Sequence, residues 1–231
     1  MMSGLSSKSS QHASDKQKPI LKRVKKEIQI LLGLKKPRLP YQAKRTEGTD
    51  KRWDMIVTNL SSADRNLLDL GCNVGVLTRR AADAGLLALG VDVDASLIQK
   101  AKSRHRRIPN LSFMCLELNP ENIKDLPGFD VTLCLSVHHY WARHYGLEKS
   151  WEMMSTLVAK TQRKLFFEPA SIRKKYWKNA PDIFDLDRES IINYNMARLN
   201  ALATNGENVR HLGETPCLGR ESFRLLFIVE R

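Results

Sequence analysis

From residue 53 onward the apolar positions fall into short runs separated by longer stretches with helical spacing. Residues 66–70 form an apolar run that ends at Gly71, and residues 86–91 form a second that Asp92 closes. Short runs bounded by Gly or Asp read as buried strands. The same criterion predicts strands at 111–116, 129–137 and 164–167. Residues 74–84, 95–107, 147–160 and 188–203 instead repeat their apolar positions three and four apart, which is one face of a helix. Residues 209–212 and 223–229 are expected to pair as an antiparallel hairpin. Strands alternating with helices make parallel βαβ units. The predicted fold is therefore α/β and Rossmann-like, a doubly wound, mostly parallel seven-stranded sheet with a C-terminal antiparallel hairpin. Ligands of such sheets bind at the carboxyl ends of the strands.

The first 52 residues read differently. Residues 1–18 are Ser, Lys and Gln with almost nothing to bury, the composition of a disordered tail. From Pro19, the positions Ile20, Leu21, Val24, Ile28, Leu31 and Leu32 recur at helical spacing, with Lys22, Arg23, Lys25 and Lys26 between them. Pro19 suits a first helical position and Gly33 a stop. Pro37 and Pro40 begin an irregular connector. The expected division is a tail over 1–18, a basic amphipathic helix and connector over 19–52, and a domain over 53–231.

Charge sharpens that division. The 231 residues carry 38 Lys/Arg and 25 Asp/Glu, a net +13. Residues 1–45 alone hold 12 of the bases and only Asp15 and Glu27 as acids, so +10 of the +13 lies there. Such an extension is drawn to polyanions, whether RNA, a phosphorylated glycan or an anionic membrane surface, or it docks on its own domain. No run approaches the 18 apolar residues of a transmembrane segment, and no apolar signal-peptide core is present. Cys72, Cys115, Cys134 and Cys217 include no CxxC pair, so neither a zinc site nor a disulfide framework is expected. The expected location is cytoplasmic, with peripheral membrane attachment as the variant.

The most informative segment is Asp69-Leu70-Gly71-Cys72-Asn73-Val74-Gly75 at the junction of the first strand and first helix. Glycines there permit a tight turn and close approach of a ligand to the backbone, and the helix beyond offers free N–H groups. Asp92 ends the next strand, where a carboxylate suits the two hydroxyls of a ribose. The pattern is not GxGxxG. It resembles motif I of the class I S-adenosylmethionine (SAM) methyltransferases, and the resemblance runs from about Trp53 to Val229. It implies SAM as cofactor, S-adenosylhomocysteine as product and no metal. Asp69, Gly71, Cys72, Asn73 and Gly75 would hold the methionyl end. Asp92 would take the ribose, with Val93 beside it, and Glu117 would contact adenine. Asn73 stands where the family usually has glycine, and Asn tolerates left-handed φ better than most residues.

The fourth strand runs into Ser136-Val137-His138-His139-Tyr140-Trp141, the position that lies next to the reactive methyl in this family. The expected catalytic candidates are His138 or His139 as general base and Glu168 as the residue orienting the acceptor. Ser136 is assigned to the cofactor, and Tyr140 and Trp141 to the acceptor. His144 and Tyr145 lie on the same rim. After the fifth strand, Arg173, Lys174, Lys175 and Tyr176 interleave cations with an aromatic, suited to a phosphorylated acceptor. A narrower resemblance links residues 69–78, 133–137, Tyr140, Tyr145-Gly146 and Glu168-Pro169 to enzymes that methylate the 5′ γ-phosphate of small RNAs. This chain lacks that family's Lys-Trp pair and Asn-Trp-Gly after the fourth strand. The function implied is methyl transfer to an oxygen acceptor, less readily to nitrogen. A SAM-fold protein that has lost catalysis and binds or tethers through its basic helix is the alternative.

Overall fold

Leucine and phenylalanine side chains projecting from both faces of one sheet organise the molecule. The computed structural model describes residues 46–169, 187–216 and 223–231. In chain order the elements are α1 (Thr46–Val57), β1 (Asn66–Leu70), α2 (Val76–Asp83), β2 (Leu87–Asp92), α3 (Ala95–His105), β3 (Leu111–Cys115), a 3-10 turn (Ile123–Asp125) and β4 (Phe129–Leu135). Then follow α4 (His138–Tyr145), α5 (Leu147–Lys160), β5 (Thr161–Glu168), α6 (Arg188–Leu202), β6 (Asn208–Pro216) and β7 (Phe223–Glu230). The seven strands lie in the order β3-β2-β1-β4-β5-β7-β6. β1 pairs in parallel with β2 and β4, β2 with β3, and β4 with β5. β7 runs antiparallel to both β5 and β6. This is the predicted doubly wound sheet with its C-terminal hairpin.

Alternation along the strands sends neighbouring residues to opposite faces. Leu68, Leu70 and Phe167 pack with Trp151, Met154 and Leu157 of α5 and Leu199 of α6. Leu67, Leu133 and Phe166 pack on the other face with Leu77 and Ala81 of α2 and Ile56 of α1. Ile98 and Ala101 of α3 close over Phe113 and Cys72. Strands buried on both faces read as continuous apolar runs, and β4 is buried from Asp130 to Leu135. The edge strand β3 exposes Ser112, Met114 and Cys115.

Two helices and part of one strand depart from the pattern. α1 covers residues that the pattern assigned to the connector, and the compact unit runs Arg45–Arg231. Its sequence is mostly polar, and it docks through Ile56 and through Gly48, whose missing Cβ would lie 2.4 Å from the Pro216 carbonyl oxygen. α4 forms directly after the predicted strand over 129–137, where no helix was expected. β5 begins three residues earlier than its apolar run because Lys164 and Arg163 are held by the buried Asp64, at 2.6 and 2.8 Å. Paired charges let a polar stretch join a buried strand. The predicted tail, the basic helix and the connector up to residue 45, and residues 170–186 with Arg173, Lys174, Lys175 and Tyr176, lie outside the described residues. Among the described residues no helix is long and apolar enough to cross a membrane.

Phe166 is fully buried at the centre of the sheet. Phe166→Ala is expected to destabilise the fold by about 3–5 kcal/mol, lowering Tm by roughly 6–20 °C for a domain of this size. A thermal unfolding scan checks this.

Candidate active site

The carboxyl ends of β1, β2, β4 and β5 carry the candidate residues. The turn after β1 reverses sharply because three of its residues adopt positive φ: Gly71 at 66°, Asn73 at 54° and Gly75 at 76°. Gly71 and Gly75 are required there on two counts. Their φ is left-handed, and a Cβ on Gly71 would meet Val137 at 2.8 Å, one on Gly75 the Phe113 ring at 2.4 Å. Asn73 fills the remaining left-handed position, and its Oδ1 accepts from the Val74 N–H at 2.9 Å.

Asp92, at the end of β2, faces this turn. Its Oδ2 accepts from the Asn73 N–H at 2.8 Å and its Oδ1 from the Asp94 N–H at 2.9 Å. A carboxylate has about four acceptor directions. The two amides therefore fix its orientation and leave one direction on each oxygen for further donors. Val93 beside it is 63% exposed, an unusual setting for valine. Glu117, past the end of β3, is exposed, and the Tyr145 hydroxyl lies 3.4 Å from its Oε1.

Asp69 sits within β1 beneath the turn. Burial pushes its carboxyl up to about 6, against the Thr78 hydroxyl that donates to it at 2.7 Å and the charge of Arg52. It supports the turn from below.

The β4 and β5 ends are organised by Glu168, whose side chain has no exposed surface. Arg52 of α1 lies 2.8 Å from its Oε2, and Arg224 of β7 lies 2.5 Å from its Oε1. The Ser136 hydroxyl donates to the same Oε1, and the Ser136 N–H donates to the Glu168 carbonyl at 2.9 Å. Burial pushes the Glu168 carboxyl up, but the two guanidiniums and the hydroxyl outweigh it and hold it below the ordinary value. Ser136 itself is held at φ 58°, a left-handed position for a residue with a Cβ.

The structure corrects three placements at this rim. His138 points into the core: its ring packs 4.4 Å from Trp151 and 5.6 Å from Phe167, and Nε2 lies 3.0 Å from the Ser150 hydroxyl. Burial pushes its pKa down to about 3. Trp141, expected at the acceptor, is 5% exposed and belongs to the core that α5 covers. Both follow from α4, since residues three apart on a helix share a face. Glu168, expected to face the acceptor, is enclosed by its arginines. His139 is turned the other way and lies against Tyr140, with ring centroids 4.2 Å apart. Burial first, then the charge of Arg224, pushes its pKa down to about 4. Tyr140 is 54% exposed and available to a ligand. Arg52 and Arg224 were not singled out from the sequence, and Thr78 stood only within the matched stretch 69–78, with no role given to it. A glutamate closing a buried apolar strand signals that cations must exist, but not which.

Among known proteins, residues 68–161 match the family model described as "Methyltransferase domain". A ubiquinone biosynthesis O-methyltransferase of Methylococcus capsulatus is 35% identical over 88 residues, 37% of this chain and 37% of that protein. The Coxiella burnetii protein of the same name is 29% identical over 87 residues, again 37% of each. The aligned stretch is thus little more than a third of these curated relatives. Of the solved structures, magnesium protoporphyrin IX methyltransferase from Synechocystis PCC 6803 with bound SAM superposes with TM-score 0.57 at 20% identity, covering 99% of this chain and 100% of that one. The bifunctional kinase-methyltransferase WbdD gives 0.62 at 23%, covering 78% of this chain and 39% of that one. Residues 68–161 thus match a methyltransferase domain, and the likeness to these solved structures is one of fold.

Two stability tests follow from the buried carboxylates. Glu168→Gln leaves two buried guanidiniums facing a neutral amide, and is expected to destabilise by about 3–5 kcal/mol in a denaturant titration. Asp69 has the opposite sign. Its folded pKa is raised, so its contribution is full below the unfolded value of 3.8 and is lost as pH rises through about 6. The Tm of Asp69→Asn relative to wild type is therefore expected to rise between pH 4 and pH 6.5.

Proposed function

We propose that this chain is a SAM-dependent methyltransferase whose acceptor is an oxygen that already carries negative charge, a carboxylate or a phosphate. The observation that carries the cofactor part is the turn over residues 71–75, with three left-handed residues beside a carboxylate aimed by two amides. In this reading the turn holds the methionyl end, Asp92 takes the ribose hydroxyls, and Val93 and Glu117 flank the adenine. Bound SAM supplies a methyl group on a sulfonium, which an acceptor lone pair displaces with S-adenosylhomocysteine as the leaving group.

The acceptor part rests on what the rim residues can do with a proton. Glu168 is held ionised between two arginines. His138 is enclosed in the core, and His139 has its pKa pushed down to about 4. All three are weak proton acceptors at neutral pH, and efficient general bases sit near the working pH. A carboxylate or phosphate oxygen needs no base. Polyanionic acceptors such as RNA or a phosphorylated glycan belong to this class, and residues 173–176 are expected to help hold them. The relatives named as O-methyltransferases support an oxygen acceptor.

The test has two stages. S-adenosylhomocysteine at a hundredfold excess over Kd is expected to stabilise wild type by about 2.7 kcal/mol, a Tm rise of roughly 5–11 °C, and to leave Asp92→Ala unmoved. No rise in folded wild type would overturn the cofactor assignment. Methyl transfer from labelled SAM is then measured on carboxylate, phosphate and neutral hydroxyl acceptors. Turnover on an anionic acceptor with a flat rate between pH 6 and pH 8 is expected. Turnover confined to hydroxyl acceptors and abolished by His139→Ala would sink the charged-acceptor reading.

A further inference from the structure

α3 and the turn that follows it carry Lys100, Lys102, Arg104, Arg106 and Arg107 and no acidic residue between 95 and 107. All five side chains are exposed. Among the described residues none of them forms an ion pair, whereas Arg79 and Arg80 of the neighbouring α2 are paired to Asp83 and Asp50. Ile98 and Ala101 turn inward onto Phe113, which directs the opposite side of the helix to solvent. Lys100 and Arg104 stand one turn apart, about 6 Å along the axis. Arg106 keeps a helical conformation, φ −54° and ψ −18°, so the helical path carries on toward Arg107. Residues 100, 104 and 107 then share one stripe, flanked by the polar Gln99 and Ser103.

We propose that this stripe is a docking surface for the phosphodiester backbone of a nucleic acid. Charge complementarity favours a polyanion, because the cations are unneutralised by their own domain and spaced along one line. The polar neighbours favour nucleic acid over a membrane, since an interfacial helix presents apolar residues to the lipid. Two cations near the helix C-terminus also complement the helix dipole, but that accounts for one turn and not for Lys100 or Arg107. Lys100, Arg104 and Arg107 are not among the proposed cofactor or acceptor residues, so the stripe can be altered without changing them.

The full chain is titrated with a fluorescent 20-nucleotide single-stranded RNA at several salt concentrations. The variant is K100Q/R104Q/R107Q. The control is K124Q/K149Q/K160Q, which removes the same charge from the 3-10 turn and α5, across the sheet from α3. Each phosphate contact contributes about 0.7 to the slope of log affinity against log salt on a single strand. The stripe variant is expected to lose about 2 from the slope and about a hundredfold in affinity at 0.1 M salt, beyond whatever residues 1–45 contribute, while the control changes little. Equal losses in both variants would reduce the effect to net charge and overturn the proposal. So would no loss in either, or no RNA binding by wild type. Loss of binding to phosphatidylserine vesicles with RNA binding intact would assign the stripe to a membrane instead. Unchanged thermal unfolding of both variants confirms that each is folded.

Discussion

A carboxylate with no exposed surface closes β5, and the arrangement of the site depends on how its charge is compensated. Removing an ion from water costs several kcal/mol unless its partners are close and well oriented. Glu168 recruits those partners from three other segments: Arg52 from α1, Ser136 from the end of β4 and Arg224 from β7. This accounts for two features that apolar burial leaves unexplained. α1 belongs to the domain despite its polar sequence, because its arginine is one of the two counter-charges. Ser136 holds a left-handed φ because its amide and hydroxyl are both engaged with Glu168.

The same anchor propagates to the turn after β1. Ser136 sets the path of Val137, and Val137 is the side chain that leaves no room for a Cβ on Gly71. Gly71 starts the turn that places the Asn73 amide on Asp92. From the far side, Phe113 packs where a Cβ of Gly75 or Gly90 would stand. The turn is thus confined by β4 on one side and β3 on the other. A turn defined by backbone geometry and confined by strands on both sides is held in one shape, so it would need little further ordering to bind the proposed cofactor.

Most of the architecture was legible in the chain because central parallel strands are apolar on both faces and end in Gly or Asp. Asp69, the turn over 71–75 and Asp92 are local in sequence, and their roles follow from the strand that precedes each. The residues that escaped notice act across long separations. Arg52 meets Glu168 across a sequence separation of 116, and Arg224 across one of 56, and no periodicity records such a partnership. α4 escaped because two histidines after a strand read as rim chemistry. The informative spacing was His138 to Trp141, the three-residue step that turns both toward Trp151 and Phe167.

The adjacency of His138 and His139 is itself the misleading feature. Successive residues on a helix differ by about 100° around its axis. One imidazole therefore enters the core, and the other meets the field of Arg224. Each loses basicity for a different reason, the first through burial among aromatics and the second through burial beside a guanidinium. The β4–β5 rim is consequently poor in proton acceptors at neutral pH. The turn over 71–75, built from backbone geometry, leaves a compact signature in the sequence, whereas the cluster around Glu168, assembled from distant segments, does not.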